Sequence, residues 1–148
     1  MKKAITYIRV STKMQDVARQ RMKIQEYCDR NNYEIVQEIV DYGISGARAD
    51  REGYIKLQSL TDKDGEILVI SELSRLSREE TLITVNTIQN IIYHGLDVVF
   101  LDDASKYYKA NQALNLIELI TLLVSAEKNA KERIEIKRKN QEGKQAIL

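Results

Sequence analysis

Ala4-Ile-Thr-Tyr-Ile-Arg-Val-Ser-Thr12 is the segment from which the fold can be worked out. Its alternating, β-branched composition predicts a first strand that ends in a charged residue and a hydroxyl pair. Because side chains alternate along a strand, Tyr7, Arg9 and Ser11 share one face and the residues between them share the other. We expect one face for chemistry and one for packing. A guanidinium two residues before a hydroxyl is suited to holding an oxyanion, such as a phosphate, against a nucleophile.

The composition is that of one globular domain, with 148 residues of which 43% are hydrophobic and 30% charged. A formal net charge of +1 gives no global basic signal, so a nucleic-acid partner would need a local basic patch. The single cysteine, Cys28, and the single histidine, His94, exclude a disulfide framework and a Cys/His metal cluster. No apolar run suits a membrane span and no signal peptide begins the chain, so we expect a cytoplasmic protein with no membrane partner.

Strand-forming and helix-forming stretches alternate after the first strand. Further strands are predicted over residues 33–40, 66–71 and 96–103, and helices over residues 13–32, 51–61 and 78–94. The βαβαβαβ order predicts an α/β domain with a mainly parallel sheet of about four strands and helices on both faces.

Periodicity indicates which faces of the helices are buried. In the first helix Val17, Ile24 and Cys28 form an apolar stripe, and Gln20 falls on the same face, either as a satisfied core residue or aimed at the site. In the third helix, the predicted buried stripe is Leu82, Val85, Ile88 and Ile92, and Gly95 closes the helix.

From about Ala110 the chain is predicted to form one long helix with two unlike halves. Residues 113–126 are apolar on a wide arc, which indicates packing on the sheet and on another subunit. The half from residue 127 to 144 is rich in basic residues, among them Lys131, Lys137 and Arg138, and is predicted to lie in solvent or on DNA. The alternative is a solvated helix with i,i+4 ion pairs. We therefore divide the chain into an α/β core, residues 1–109, and a helical part of the same domain, residues 110–148.

Functional residues in a parallel α/β sheet gather beyond the carboxyl ends of the strands. Four segments place polar residues there: Arg9 and Ser11; Asp41, Ser45 and Arg51; Ser71, Glu72, Ser74, Arg75 and Arg78; and Asp102 with Asp103. Arg78 lies in the first turn of its predicted helix, where the helix dipole disfavours a cation unless an anion is bound beside it.

The four arginines, Arg9, Arg51, Arg75 and Arg78, are predicted to form a phosphate cage. The alternative is surface ion pairing with some of the 22 acidic residues. No metal-ligand cluster accompanies the arginines, so guanidinium groups alone would stabilise a phosphoryl transition state. A serine close to several guanidiniums can be activated without histidine, because positive charge favours its alkoxide.

Five motifs of this sequence resemble the successive motifs of serine recombinases of the resolvase and invertase group. They are Tyr7-Ile-Arg-Val-Ser-Thr12, Gly43-Ile-Ser-Gly46, Asp50-Arg-Glu-Gly53, Leu73-Ser-Arg-Leu-Ser-Arg78 and Ala130-Lys-Glu-Arg133. The resemblance spans nearly the whole chain, and the first and fourth motifs are highly specific. It implies a resolvase-like fold and a catalytic domain that cuts and rejoins DNA.

The resemblance also implies roles for individual residues. Ser11 would attack a backbone phosphate, leaving a 5′-phosphoserine link and a free 3′-hydroxyl, while Arg9, Arg75 and Arg78 hold that phosphate. Supporting positions would be Tyr7, Gln20, Ser45, Arg51 and Glu132. No metal or other cofactor is required. The partners implied are double-stranded DNA and further copies of the chain, as a dimer on each site and a tetramer at strand exchange, with the basic half of the long helix laid toward the minor groove.

The sequence departs from the family pattern in two places. Many members carry aspartate, often proposed as the general acid for the leaving oxygen, where this chain has Ser74. An arginine is then the expected donor, and Glu72 is a second candidate. Family members also carry a separate DNA-binding module after the long helix, which is absent from these 148 residues and is expected in a full-length parent.

Two other interpretations of the sequence remain. One is a catalytically impaired dimerisation module of the same fold, which the serine at position 74 would favour. The other is a phosphoacceptor signalling domain that uses Asp41, Asp102 or Asp103. Such a domain needs an acidic pair after the first strand to bind Mg²⁺, and this chain has arginine and serine there.

Overall fold

A computed structural model of the chain describes residues 1–10, 14–42, 52–76, 81–102, 106–115, 117–125 and 127–128. In chain order the described elements are β1 (Lys2–Val10), α1 (Met14–Arg30), β2 (Tyr33–Tyr42), α2 (Glu52–Ser59), β3 (Ile67–Ile70), a 3₁₀ turn (Leu73–Arg75), α3 (Thr81–Tyr93), β4 (Asp97–Phe100) and β5 (Lys106–Tyr108). Residues 117–125 form a further helix, α4. The predicted alternation of strands and helices is confirmed.

The sheet contains five described strands in the order β2-β1-β3-β4-β5. The first four are parallel, and β5 pairs antiparallel with β4 at the edge. The prediction of an α/β fold with a mainly parallel sheet is confirmed, and the sheet has one strand more than the four that the sequence indicated. The additional strand is β5, whose three residues, Lys-Tyr-Tyr, are too few to be recognised as a strand from the sequence.

Both faces of β1 are buried, so the prediction of one chemical and one packing face was wrong. Ile5 and Tyr7 belong to the core cluster that α2, α3 and α4 cover. Ala4, Ile8 and Val10 pack in a second cluster with α1. The physical reason is the position of β1 inside a parallel sheet that has helices on both sides.

The α1 stripe is buried as predicted, with Val17, Gln20, Ile24 and Cys28 all at most 2% exposed. Asn32, with φ of 59°, ends the helix in the left-handed region that asparagine tolerates.

The α3 stripe is only partly as predicted. Val85, Ile88 and Ile92 are buried, but Leu82 is 68% exposed. At 3.6 residues per turn Leu82 lies about 120° around the helix from Ile88, outside the inward arc. Gly95 follows the helix with φ of +99°, as its predicted closing role requires.

The carboxyl-terminal helix begins later than the expected Ala110. Asn111 has φ of 57°, and residues 112–115 are not helical. The Ala110 amide instead donates to Asp97 Oδ1 at 2.8 Å. This hydrogen bond ties the segment that follows β5 to the start of β4.

A capping box marks the start of α4. The Glu118 amide donates to Asn115 Oδ1 at 2.8 Å, and the Asn115 amide donates to Glu118 Oε1 at 3.1 Å. Across the described ranges no helix has the length and apolar character that crossing a membrane requires.

Candidate active site

The carboxyl ends of β1 and β3 bring Arg9 and Arg75 together. These strands are parallel neighbours, with Tyr7 opposite Ile70. The Arg9 guanidinium donates from Nε to the carbonyl oxygen of Arg75 at 2.8 Å and from Nη2 to that of Ser74 at 2.7 Å. Arg75 donates in return from Nη1 to the carbonyl oxygen of Arg9 at 3.4 Å. Each arginine therefore helps to hold the backbone that carries the other.

Carboxylates also hold Arg75. Its Nη2 donates to Asp16 Oδ1 at 3.0 Å, and its buried Nε lies 3.7 Å from Glu72 Oε2. Arg19 bridges the same two acids, donating to Asp16 Oδ1 at 3.1 Å and to Glu72 Oε1 at 3.0 Å. Asp16, Arg19, Glu72 and Arg75 thus form a closed set of ion pairs between α1 and the end of β3, which we call the charge ring.

Gln20 ties α1 to the same place. Its side chain is fully buried, and Nε2 donates to the carbonyl oxygen of Arg9 at 3.0 Å. Its Oε1 accepts a hydrogen bond from Ser71 Oγ at 3.4 Å. Two interpretations of Gln20 were open, and its environment is that of a core residue whose hydrogen bonds are satisfied. One of its partners is the backbone of Arg9, a candidate site residue.

Tyr7 contacts the site through Asp41. Its hydroxyl donates to Asp41 Oδ2 at 2.6 Å, and burial together with this carboxylate raises the pKa of Tyr7 far above its usual range. Asp41 also accepts hydrogen bonds from the amides of Gly53 and Tyr54 at 2.7 and 2.9 Å. The buried carboxylate therefore satisfies amides at the start of α2, where a negative charge is favoured.

Two other polar residues stabilise the 3₁₀ turn that carries Arg75. Ser74 donates from Oγ to Glu72 Oε2 at 3.4 Å. Asp102, beyond β4, accepts a hydrogen bond from the Leu73 amide at 3.1 Å. Burial is the main reason that the pKa of Asp102 is raised, and the Leu73 amide opposes the shift.

Several predicted site residues lie outside the described residues: Ser11, Ser45, Arg51, Arg78, Lys131, Glu132, Lys137 and Arg138. Of the predicted phosphate cage, the described part of the chain brings Arg9 and Arg75 together. Within that part no group of three or more His, Cys, Asp or Glu side chains could hold a metal ion.

Sequence reasoning missed Asp16 and Arg19. Asp16 precedes Gln20 by four positions, so the two residues share one face of α1. The spacing could have indicated that Asp16 also faces inward, because Gln20 is predicted to lie on the buried face of α1. The contact with Arg75 could not be inferred from it, since that contact depends on how α1 packs against the end of β3.

Residues 4–146 match the protein family described as "Resolvase, N terminal domain". A relative from Escherichia coli strain K12, the uncharacterised protein YbcK, is 30% identical over 152 residues. The alignment covers 93% of this chain but only 29% of YbcK, so the chain spans less than a third of that relative.

Three solved structures with the same fold are similar to this chain. A resolvase family site-specific recombinase from Streptococcus pneumoniae is 22% identical, with a TM-score of 0.61 and full coverage of both chains. The N-terminal catalytic domain of TP901-1 integrase is 20% identical, with a TM-score of 0.60 over 89% of this chain and 97% of that one. The C-terminal catalytic domain of ISC1926 TnpA, an IS607-like serine recombinase, is 24% identical, with a TM-score of 0.56 over 83% and 78%.

Proposed function

The chain belongs to the family of resolvase N-terminal domains, and from that premise we propose that it is the catalytic domain of a site-specific DNA recombinase with Ser11 as its nucleophile. The substrate is double-stranded DNA, and the reaction is cleavage and rejoining by transesterification.

In the proposed reaction the Oγ atom of Ser11 attacks a backbone phosphorus, and the bond from phosphorus to the 3′-oxygen breaks. A 5′-phosphoserine ester forms as Ser11 loses its proton, and the leaving oxygen gains a proton to become a free 3′-hydroxyl. Attack on the ester by a 3′-hydroxyl from another strand end reverses these steps and joins new partners. Because the ester conserves the bond, no cofactor is consumed.

The observation that carries this proposal is the mutual bonding of Arg9 and Arg75 at the ends of β1 and β3. Donors fixed in advance stabilise developing negative charge without reorganisation, which is a large source of catalysis in acyl and phosphoryl transfer. Ser11 follows Arg9 by two residues in the sequence, so we place the proposed nucleophile next to the Arg9–Arg75 pair. Arg51 and Arg78 complete the phosphate cage in the proposal.

The proton transfers do not use the single histidine. His94 lies just beyond α3, and its Nδ1 is 3.1 Å from the carbonyl oxygen of Leu60. Because Ser74 replaces the family aspartate, we assign protonation of the leaving oxygen to an arginine. Glu72 is the weaker candidate, since its carboxylate is paired with Arg19 and accepts from Ser74.

The proposal includes assembly of several copies through α4. Ile117, Ile120 and Val124 are 77%, 51% and 63% exposed, at spacings of three and four residues. An apolar stripe of this kind is typical of a helix that packs against a partner. We propose that it contacts a second copy, as a dimer that pairs into a tetramer during strand exchange.

The described contacts argue against the phosphoacceptor alternative. Asp41, one of its three candidate acceptors, is 2% exposed and accepts three hydrogen bonds. A carboxylate that is buried and satisfied in this way is poorly placed to attack a phosphoryl donor.

The test is to trap the covalent intermediate. The chain is mixed with a library of duplex DNA, quenched with detergent and digested, and peptides are examined by mass spectrometry for a nucleotide on Ser11. We expect the adduct in the wild-type chain and in Ser59→Ala, a control hydroxyl at the exposed end of α2. Ser11→Ala should give none. An adduct on another residue, or DNA cleavage by Ser11→Ala at the wild-type rate, would refute the assignment, and absence of any adduct would favour the impaired module.

A further inference from the structure

The charge ring contains a carboxylate that no motif of the sequence marked. Asp16, in the first turn of α1, accepts a hydrogen bond from Arg75 Nη2 at 3.0 Å. The side chains of this pair are 21% and 19% exposed. The ion pair between Arg21 on α1 and Glu38 on β2, by contrast, has side chains that are 49% and 34% exposed. The Asp16–Arg75 pair is therefore partly withdrawn from solvent, where ion pairs are screened less.

Asp16 is the carboxylate that hydrogen-bonds the Arg75 side chain. Glu72 approaches Arg75 only to 3.7 Å, and Arg75 Nε has no hydrogen-bond partner among the described residues. Asp16 itself is held by Arg19, which bonds the same oxygen at 3.1 Å. One turn along α1, Gln20 fixes the helix to the backbone of Arg9. The Asp16 oxygen thus has a defined position relative to β1.

We infer that Asp16, in the first turn of α1, is a positioning residue for Arg75. The inference rests on the proposed function of Arg75 in binding the DNA phosphate. Asp16 acts through the guanidinium and does not touch the reacting atoms.

The geometry explains how such a contact helps rather than blocks anion binding. A guanidinium has five N–H donors. The described contacts of Arg75 use one hydrogen of Nη2, on Asp16, and one of Nη1, on the Arg9 carbonyl. The group is oriented by two elements and keeps donors for an oxyanion. The charge ring contains two cations and two anions, so its side chains are neutral as a set before a phosphate binds.

The test compares Asp16→Ala and Asp16→Asn with a matched control, Glu38→Gln, which removes the exposed ion pair with Arg21. The rate of single-turnover cleavage is measured at saturating DNA, and DNA affinity is measured separately. We expect Asp16→Ala to be slower by about 10- to 100-fold, as small misplacements of a catalytic group are, with no loss of affinity. Asp16→Asn retains an acceptor oxygen and should lie between Asp16→Ala and wild type. Glu38→Gln should equal wild type.

Two results would overturn the inference. One is cleavage by Asp16→Ala as fast as by Glu38→Gln. The other is faster cleavage by Asp16→Asn than by wild type, which would mean that Asp16 competes with the phosphate for Arg75. Asp16→Asn also decides the question if the alanine variant does not fold.

A second measurement separates this inference from the proposed function. In the DNA-free chain, ¹⁵N NMR of the Arg75 guanidinium, assigned with Arg75→Lys, reports whether rotation about its Nε–Cζ bond is restricted. We expect restricted rotation in wild type and Glu38→Gln, and free rotation in Asp16→Ala. Free rotation in wild type would contradict the positioning role, whereas a wild-type chain that cleaves no DNA yet restrains Arg75 would contradict only the proposed function.

Discussion

At the residue scale, Asp41 and Gly53 determine how α2 joins the sheet. Asp41 is buried at the end of β2, and its carboxylate accepts the Gly53 amide at 2.7 Å. A Cβ atom added at Gly53 would lie 2.7 Å from Asp41 Oδ1 and 2.8 Å from Ile39 Cγ2. These distances leave no room for a side chain. The glycine is therefore needed for close approach of the helix to β2, and the segment from 43 to 51, which includes Ser45 and Arg51, connects these two anchored points.

The first prediction at this scale is that Gly53→Ala destabilises the protein, although alanine is the better helix former. Relief of the clash has to move Asp41 or the start of α2, which costs about 1–3 kcal/mol. Urea unfolding measures the change in stability, with Ser59→Ala in the same helix as the control. Unchanged or increased stability of Gly53→Ala would show that α2 shifts without cost.

The second prediction at this scale concerns Asp97, whose carboxylate accepts hydrogen bonds from three groups. Lys2 Nζ donates to it at 2.9 Å, the Ala110 amide at 2.8 Å, and the Tyr107 hydroxyl also donates. Burial opposes ionisation, but the hydrogen bonds from Tyr107, Ala110 and Lys2 outweigh it and lower the pKa of Asp97 below 3.8. The folded pKa is thus below the unfolded value, so the stabilisation is present above pH 3.8 and is lost as the pH falls through the folded pKa.

The substitution Asp97→Asn should therefore lower the free energy of unfolding by about 1.5–3 kcal/mol at neutral pH, because it removes hydrogen bonds to a charged group. The difference from wild type should begin to shrink as the pH falls below about 4, because the unfolded chain then binds a proton at Asp97 that the folded chain does not. Thermal unfolding of wild type and Asp97→Asn from pH 7 to pH 3, at intervals of about one pH unit, measures this difference in stability. A difference that stays constant across this range would contradict the assigned charge state.

At the element scale, α4 has two apolar faces, one packed on the core and one exposed. Leu122 is 2% exposed and belongs to the core over the sheet, and Leu119 and Leu123 are half-buried against it. Ile117 and Val124 point away from that core and are 77% and 63% exposed. The helix is thus apolar over more of its circumference than its contact with the sheet requires, as its composition predicted.

The two faces of α4 should separate folding from association. Leu122→Lys removes roughly 1.5–3 kcal/mol of apolar burial and places a charge without a partner in the core, so the chain should unfold or be strongly destabilised. Val124→Lys should keep the fold and weaken self-association. Circular dichroism and sedimentation velocity on both variants test this. If Val124→Lys associates like wild type, the second copy does not bind this face.

At the scale of the whole molecule, the charges are distributed unevenly although the net charge is only +1. In the described core, Arg19 and Arg75 are paired with Asp16 and Glu72 in the charge ring. The basic half of the carboxyl-terminal part carries seven lysine and arginine side chains between residues 127 and 144, against four glutamates. Proposed DNA binding therefore depends on this local patch and not on the overall charge.

Neutralising Lys131, Lys137 and Arg138 together should lower DNA affinity to a similar degree for every duplex sequence, because phosphate contacts carry no sequence information. The slope of log K against log salt should decrease by about 0.9 for each phosphate that the variant no longer neutralises. Titrations at several salt concentrations measure the slope, and circular dichroism checks the fold. An unchanged slope would support the alternative of a solvated helix with internal ion pairs.

The class of fold, most element positions, the buried stripe of α1 and the family could all be predicted from the amino-acid sequence. These features follow from local periodicity, from caps and glycines, and from contiguous motifs. Each of these signals involves residues that are close together in the sequence. Tertiary packing was needed to show that β1 is covered on both faces, that Leu82 points outward, that β5 extends the sheet and that Asp41 binds α2. It also brings Asp16 to Arg75, 59 residues away in the sequence. Such contacts depend on the packing of elements distant in the chain, because the angle at which a helix crosses a sheet determines which of its side chains reach the strand ends, and no local pattern encodes that angle.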